Sequence, residues 1–98
     1  MEINVTFLHS EPTSAIKEHV LKKMEKLEKY FIKPTMAHVT LKLDDRQHVA
    51  EVSLSENHSL FNAKESSHDM YFSFDEALRK LERQLKKYKE KIKDHHKK

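Results

Sequence analysis

The sequence predicts an α+β fold, a β-α-β-β-β-α two-layer sandwich in which a four-stranded sheet carries two helices on one face. Three observations predict it. Four segments alternate apolar and polar residues with period two, the signature of half-buried strands. Two longer segments place apolar residues at spacings of three and four, the signature of amphipathic helices. Every such element has one apolar face, and a single two-layer packing covers them all. At 98 residues the chain is long enough for one modest core. The expected division is a single domain over residues 1–93 and a short basic tail, 94–98, expected to be disordered.

The first strand lies in residues 2–8, where Ile3, Val5 and Phe7 alternate with Glu2, Asn4 and Thr6. Ser10-Glu11-Pro12-Thr13 breaks it, and Thr13 is placed to cap a helix from about Ser14 to Phe31. The apolar stripe of that helix is Ile16, Val20, Met24, Leu27 and Phe31, and Pro34 stops it. Three strands follow, centred on Val39-Leu41-Leu43, Ala50-Val52-Leu54 and Phe61-Ala63. Short polar turns at Asp44-Asp45-Arg46-Gln47 and Glu56-Asn57-His58 suit antiparallel hairpins. The second helix is expected from about Met70 to Ile92, with Met70, Phe74, Ala77, Leu78, Leu81, Leu85, Tyr88 and Ile92 as its stripe.

Charge is unevenly distributed. Residues 79–98 hold ten Lys or Arg against three acids, a surplus of seven. The first 78 residues hold nine bases and thirteen acids, a deficit of four. Lys and Glu in balance make an ordinary solvated helix face with i,i+4 pairs. A surplus this large on one helix repels itself and points to an anionic partner. At about 100° per residue, Arg79, Arg83, Lys86 and Lys87 lie opposite the apolar stripe, with Lys80 and Lys91 on one flank. On the first helix Lys22, Lys26 and Lys29 gather on one side of the outer surface, and Glu18, Glu25 and Glu28 on the other. The periodicity leaves open whether the lysines of the first helix face the second. Phe72 points away from the stripe and is the one exposed aromatic placed to stack on a nucleotide.

The composition also excludes. Glycine is absent, so the glycine-dependent loops that cradle phosphates in P-loop and dinucleotide sites are ruled out. Cysteine is absent, which removes disulfides and thiolate metal sites. The eight histidines are scattered without the i,i+4 spacing of a helical zinc site. Ser, His and Asp occur without a strained nucleophile elbow, and Asp44-Asp45 sit in a turn, where aspartate is expected anyway. No catalytic residues, metal, cofactor or small-molecule substrate are expected. No segment approaches the roughly 18 apolar residues of a membrane span. The start, MEINVTFL, lacks the basic and small-residue parts of a signal peptide. The expectation is a cytoplasmic protein, monomeric off its partner.

The run Lys26-Leu27-Glu28-Lys29-Tyr30-Phe31, and above all Asp69-Met70-Tyr71 with Asp75 and the stretch Lys80-Leu81-Glu82-Arg83-Gln84-Leu85-Lys86-Lys87-Tyr88-Lys89, resembles the ribosome hibernation factors. That family includes the short hibernation-promoting factors and the ribosome-associated inhibitors of translation. The resemblance covers essentially the whole chain. It implies a fold similar to double-stranded-RNA-binding domains. It also implies a non-enzymatic protein that binds the small ribosomal subunit in the decoding channel, contacts 16S ribosomal RNA and blocks messenger and transfer RNA. Translation is thereby inhibited, and inactive, paired ribosomes are stabilised under stress or in stationary phase. Carried onto this sequence, the rRNA-binding positions are Lys22, Lys23, Lys26, Lys29, Arg79, Lys80, Arg83, Lys86, Lys87 and Lys91. The chain departs from the family after the first strand, where Phe7, Leu8 and His9 stand in place of the glycine and asparagines that members often carry. It stops soon after the second helix, as the short hibernation-promoting type does. The alternative function is a general structured-RNA-binding module. A membrane-surface helix is disfavoured, because the apolar stripe is needed to cover the sheet.

Overall fold

In the computed structural model, residues 1–30, 36–56 and 58–96 are described. The elements are β1 (Glu2–Leu8), α1 (Ser14–Leu27), β2 (Met36–Asp44), β3 (Gln47–Glu56), β4 (Ser59–Ser67) and α2 (Met70–His96). The sheet order is β1-β2-β3-β4. β1 runs parallel to β2, with α1 as the crossover, and β2, β3 and β4 form an antiparallel meander.

Register places every predicted apolar strand position on one face. Val5 lies beside Val39, Val39 beside Val52, and Val52 beside Ala63. On that face Ala37, Val39, Leu41, Ala50, Val52, Leu54, Phe61 and Ala63 are buried beneath Ile16, Val20, Met24 and Leu27 of α1. Met70, Phe74, Ala77, Leu78, Leu81 and Leu85 of α2 complete the same cluster. The two stripes are thus spent on the sheet, and each helix turns its charged side outward. The opposite sheet face is open. Across it Asn4, His38, Ser53 and Asn62 form one row, and Asn62 Nδ2 donates to Ser53 Oγ at 2.6 Å.

Both helix starts are capped. Thr13 Oγ1 accepts from the Ile16 amide at 3.3 Å, as the sequence predicts. Asp69 Oδ1 accepts from the Tyr71 amide at 3.0 Å. A buried serine then seats α2 on the sheet: Ser73 Oγ donates to the His48 carbonyl at 2.7 Å and lies 2.6 Å from Ser67 Oγ.

The boundaries differ from expectation in three places. α1 ends at Leu27 and tightens into a 3-10 turn over Glu28–Tyr30. The Glu28 amide there bonds the Glu25 carbonyl, the i→i−3 closure common at helix ends. The strands are longer than their alternating cores, because cross-strand pairing carries Gln47, Ser59 and Ser67 into the ladder despite their weak strand propensity. α2 runs four residues past Ile92, to His96. Phe31 and Pro34, expected as the last stripe position and the stop of the first helix, lie outside the described residues. So do Asn57 and the Lys97–Lys98 end of the expected tail, and the side chain of Ile92.

The turns are made without glycine at a local cost. Asp45 and Arg46, the two-residue loop between β2 and β3, both take positive φ, 48° and 66°. That is the geometry the right-handed twist of a hairpin favours. His58 does the same in the next turn, at 68°. His9 has φ 55° just after β1, a conformation glycine holds without penalty.

Candidate nucleic-acid interface

The two helices lie side by side and leave an open groove between their outward faces. Its volume is about 290 Å³, and Lys23, Lys26, Leu27, Lys29, Asp75, Leu78, Arg79 and Glu82 line it. Leu27 and Leu78 form an apolar floor continuous with the core. Above it stand four bases and two acids. Helical geometry explains the selection. On α1, Lys23 and Lys26 fall on the flank that carries His19, and His19 Nε2 meets Asp75 Oδ1 of α2 at 2.7 Å. On α2, Asp75, Arg79 and Glu82 fall on the flank that meets α1. The question the periodicity left open is therefore answered for Lys23, Lys26 and Lys29, which turn toward α2.

Each acid of the groove has a partner. Asp75 is taken by His19, and Glu82 lies 3.5 Å from Lys86 one turn on. Lys23 and Lys26 have no ion-pair partner among the described residues. Arg79 reaches Glu76 at 3.5 Å with about two-thirds of its side chain exposed, a contact worth little against solvent and salt. The groove therefore presents more positive than negative side chains.

The other candidate bases are arranged differently. Lys22, Arg83 and Lys87 are exposed on the outer faces beside the groove, and Lys86 sits there with Glu82. Lys91 is exposed further along α2, off the groove lining. Lys80 is not brought to the groove: its ammonium is ion-paired with Glu65 of β4. Gln84 Nε2 likewise donates to the Asn62 carbonyl at 2.9 Å, and the Tyr88 ring meets Phe61 edge-on at 5.1 Å. One flank of α2 is thus fastened to the edge strand, and the other is turned to the groove.

Phe72 is 55% exposed at the first turn of α2, as its place off the stripe predicts. It is not the one exposed aromatic there: Tyr71 is 39% exposed, because only one edge of its ring packs, against His19 at 5.0 Å. Three groove-related residues carry no site role that the sequence shows. His19 is one of the scattered histidines, and Asp75 and Lys89 stand only within the family signature and the basic surplus. In the structure Lys89 Nζ donates to the Lys29 carbonyl at 3.2 Å and caps the 3-10 turn after α1. Their common signal is position on the inner flank of a helix, and that flank is defined only once the two helices are set side by side. No group of three or more His, Asp or Glu placed to hold a metal ion occurs among the described residues. No described helix is long and apolar enough to cross a membrane.

A family model described as sigma 54 modulation protein / S30EA ribosomal protein matches residues 3–93. A ribosome hibernation promoting factor of Escherichia coli is 37% identical over 95 residues, which cover 97% of this chain and 100% of that protein. One of Pseudomonas putida is 35% identical over 91 residues, covering 93% of this chain and 89% of that protein. Among solved structures, the N-terminal domain of Thermus thermophilus Protein Y aligns with a TM-score of 0.82 at 31% identity, over 90% of this chain and 99% of that one. A ribosomal subunit interface protein of Coxiella burnetii aligns with a TM-score of 0.79 at 28% identity, over 91% of this chain and 98% of that one.

Proposed function

The chain belongs to the sigma 54 modulation protein / S30EA ribosomal protein family, the family of the ribosome hibernation promoting factors, and we propose that it silences ribosomes by occupying the decoding channel of the small subunit. Its helix face lies on 16S ribosomal RNA, and the body of the domain takes the space that messenger and transfer RNA need. It acts by occupancy and not by catalysis, as a cytoplasmic monomer that stabilises inactive, paired ribosomes under stress or in stationary phase.

The observation that carries this reading is the interhelical groove. Lys23 and Lys26 of α1, Lys29 of the 3-10 turn that follows it and Arg79 of α2 converge there, while both apolar stripes are buried against the sheet. A basic amphipathic helix with its stripe exposed suits a lipid surface; here both stripes are covered by the sheet. Lysine and arginine that neutralise phosphates release condensed counterions, so binding is tight and salt-sensitive. Rigid helices also hold those cations in place before the RNA arrives, which lowers the ordering entropy of association.

The test is a sedimentation profile of ribosomes with and without the protein, accompanied by competition with free duplex RNA. Co-migration with ribosomes that duplex RNA fails to displace, and a shift toward paired particles, support the reading. Equal affinity for free duplex RNA replaces it with a general RNA-binding module. Loss of polysomes without pairing keeps inhibition and removes the pairing role.

A further inference from the structure

We propose that His19 is a positioning residue for the groove: it holds the Asp75 carboxylate aside, so that Lys23 and Arg79 stay available to phosphate. The proposal rests on the reading of the groove as the phosphate-facing surface.

Asp75 is an anomaly in that setting. It lines a groove whose other polar walls are mostly cationic, and a carboxylate inside an anion seat is a built-in competitor. On α2 it stands one turn before Arg79, the acid-first i,i+4 order that favours an ion pair. Arg79 nevertheless meets Glu76, and Asp75 meets His19. The His19 contact is built to be specific. Nε2 lies 2.7 Å from Oδ1, and since an ionised carboxylate only accepts, the ring nitrogen is the donor. The imidazole is also fixed from α2 by two edge-on ring contacts, 5.0 Å to Tyr71 and 5.8 Å to Phe74. Phe74 is fully buried, so the ring is anchored to the core and does not wander with solvent. Three contacts thus direct one histidine at one oxygen. Without them Asp75 is left on the groove lining that it shares with Lys23 and Arg79, one helical turn from Arg79.

The experiment measures binding of the intact protein to purified small ribosomal subunits at one fixed moderate salt, with circular dichroism and a thermal melt for each variant. His19→Ala is expected to weaken binding about three- to tenfold, the effect of a unit charge a few Å from a bound phosphate at surface screening. Asp75→Asn in the His19→Ala background is expected to restore wild-type binding, which a merely structural role for His19 does not predict. His19→Gln, which keeps an N–H donor, is expected to retain most of the affinity. Unchanged binding by folded His19→Ala, or a loss that Asp75→Asn does not repair, overturns the proposal. If His19→Ala does not fold, Asp75→Asn alone decides: binding at least as tight as wild type supports it, and weaker binding overturns it. Lys23→Glu and Arg79→Glu are run alongside. Where they weaken binding and the His19 set does not, only the positioning role falls. Where wild type fails to bind, or the reversals change nothing, the groove reading falls with it.

Discussion

Replacing Lys23, Lys26 and Arg79 together by alanine removes three groove cations and leaves the core intact, since none of the three is buried. If each neutralises one phosphate, the slope of log K against log salt changes by about 0.7 to 0.9 per contact, so the triple variant flattens it by about 2 to 2.7. Extrapolated from a 1 M reference, where the electrostatic part vanishes, that is a loss of roughly one hundred- to five hundredfold in affinity at about 0.1 M salt, or about 3 kcal/mol. Wild-type and variant affinities converge as salt rises. Lys80→Ala is the internal control. It removes a cation from the same helix, but one engaged by Glu65 on the far flank, and its salt slope is expected to match wild type. The assay is a salt series of equilibrium binding to small subunits for all three proteins. A triple variant with the wild-type slope refutes the groove as the contact surface. A Lys80→Ala slope reduced by a full unit refutes the division of α2 into a fastened flank and a binding flank.

Three further predictions concern the scaffold. Leu81 is fully buried between α2 and the sheet, and Leu81→Ala is expected to destabilise by about 3 kcal/mol, lowering the midpoint of a thermal melt by more than about 10 °C. Asp69→Ala removes the cap of α2 and is expected to cost about 1 kcal/mol in urea unfolding, with little change in the salt slope of binding. Arg46 holds φ 66° in the β2–β3 turn, so Arg46→Gly is expected to stabilise by about 0.5 kcal/mol, relief of backbone strain exceeding the added freedom of the unfolded chain. A lower urea midpoint for Arg46→Gly contradicts that account of the turn.

The fold was legible because period-two and period-3.6 patterns are local and unambiguous in this chain. Val39-Leu41, Val52-Leu54 and the α2 stripe from Met70 to Leu85 each declare their buried face without reference to one another. The strand ends were not legible, since Gln47, Ser59 and Ser67 enter the sheet through pairing with a neighbour. The candidate site is legible in the sequence as a charge surplus on α2 and is not legible there as a groove. Which flank of α1 meets α2 depends on the crossing of two elements some 55 residues apart. It is settled by His19 meeting Asp75, a contact between two residues that the sequence gives no reason to pair. The same crossing separates Lys80 from Arg79, adjacent residues with opposite assignments. Much of the run from Lys80 to Tyr88 that carries the family resemblance serves the architecture: Lys80 and Gln84 fasten β4, Leu81 and Leu85 fill the core, and Tyr88 packs on Phe61.

The central claim is that the helix face occupies the decoding channel of the small subunit. The most direct measurement is co-sedimentation with isolated small subunits at moderate salt, alone and after preloading with messenger RNA and transfer RNA. The account predicts stoichiometric association with empty subunits and exclusion from preloaded ones. Absence of association, or equal association with empty and preloaded subunits, contradicts it.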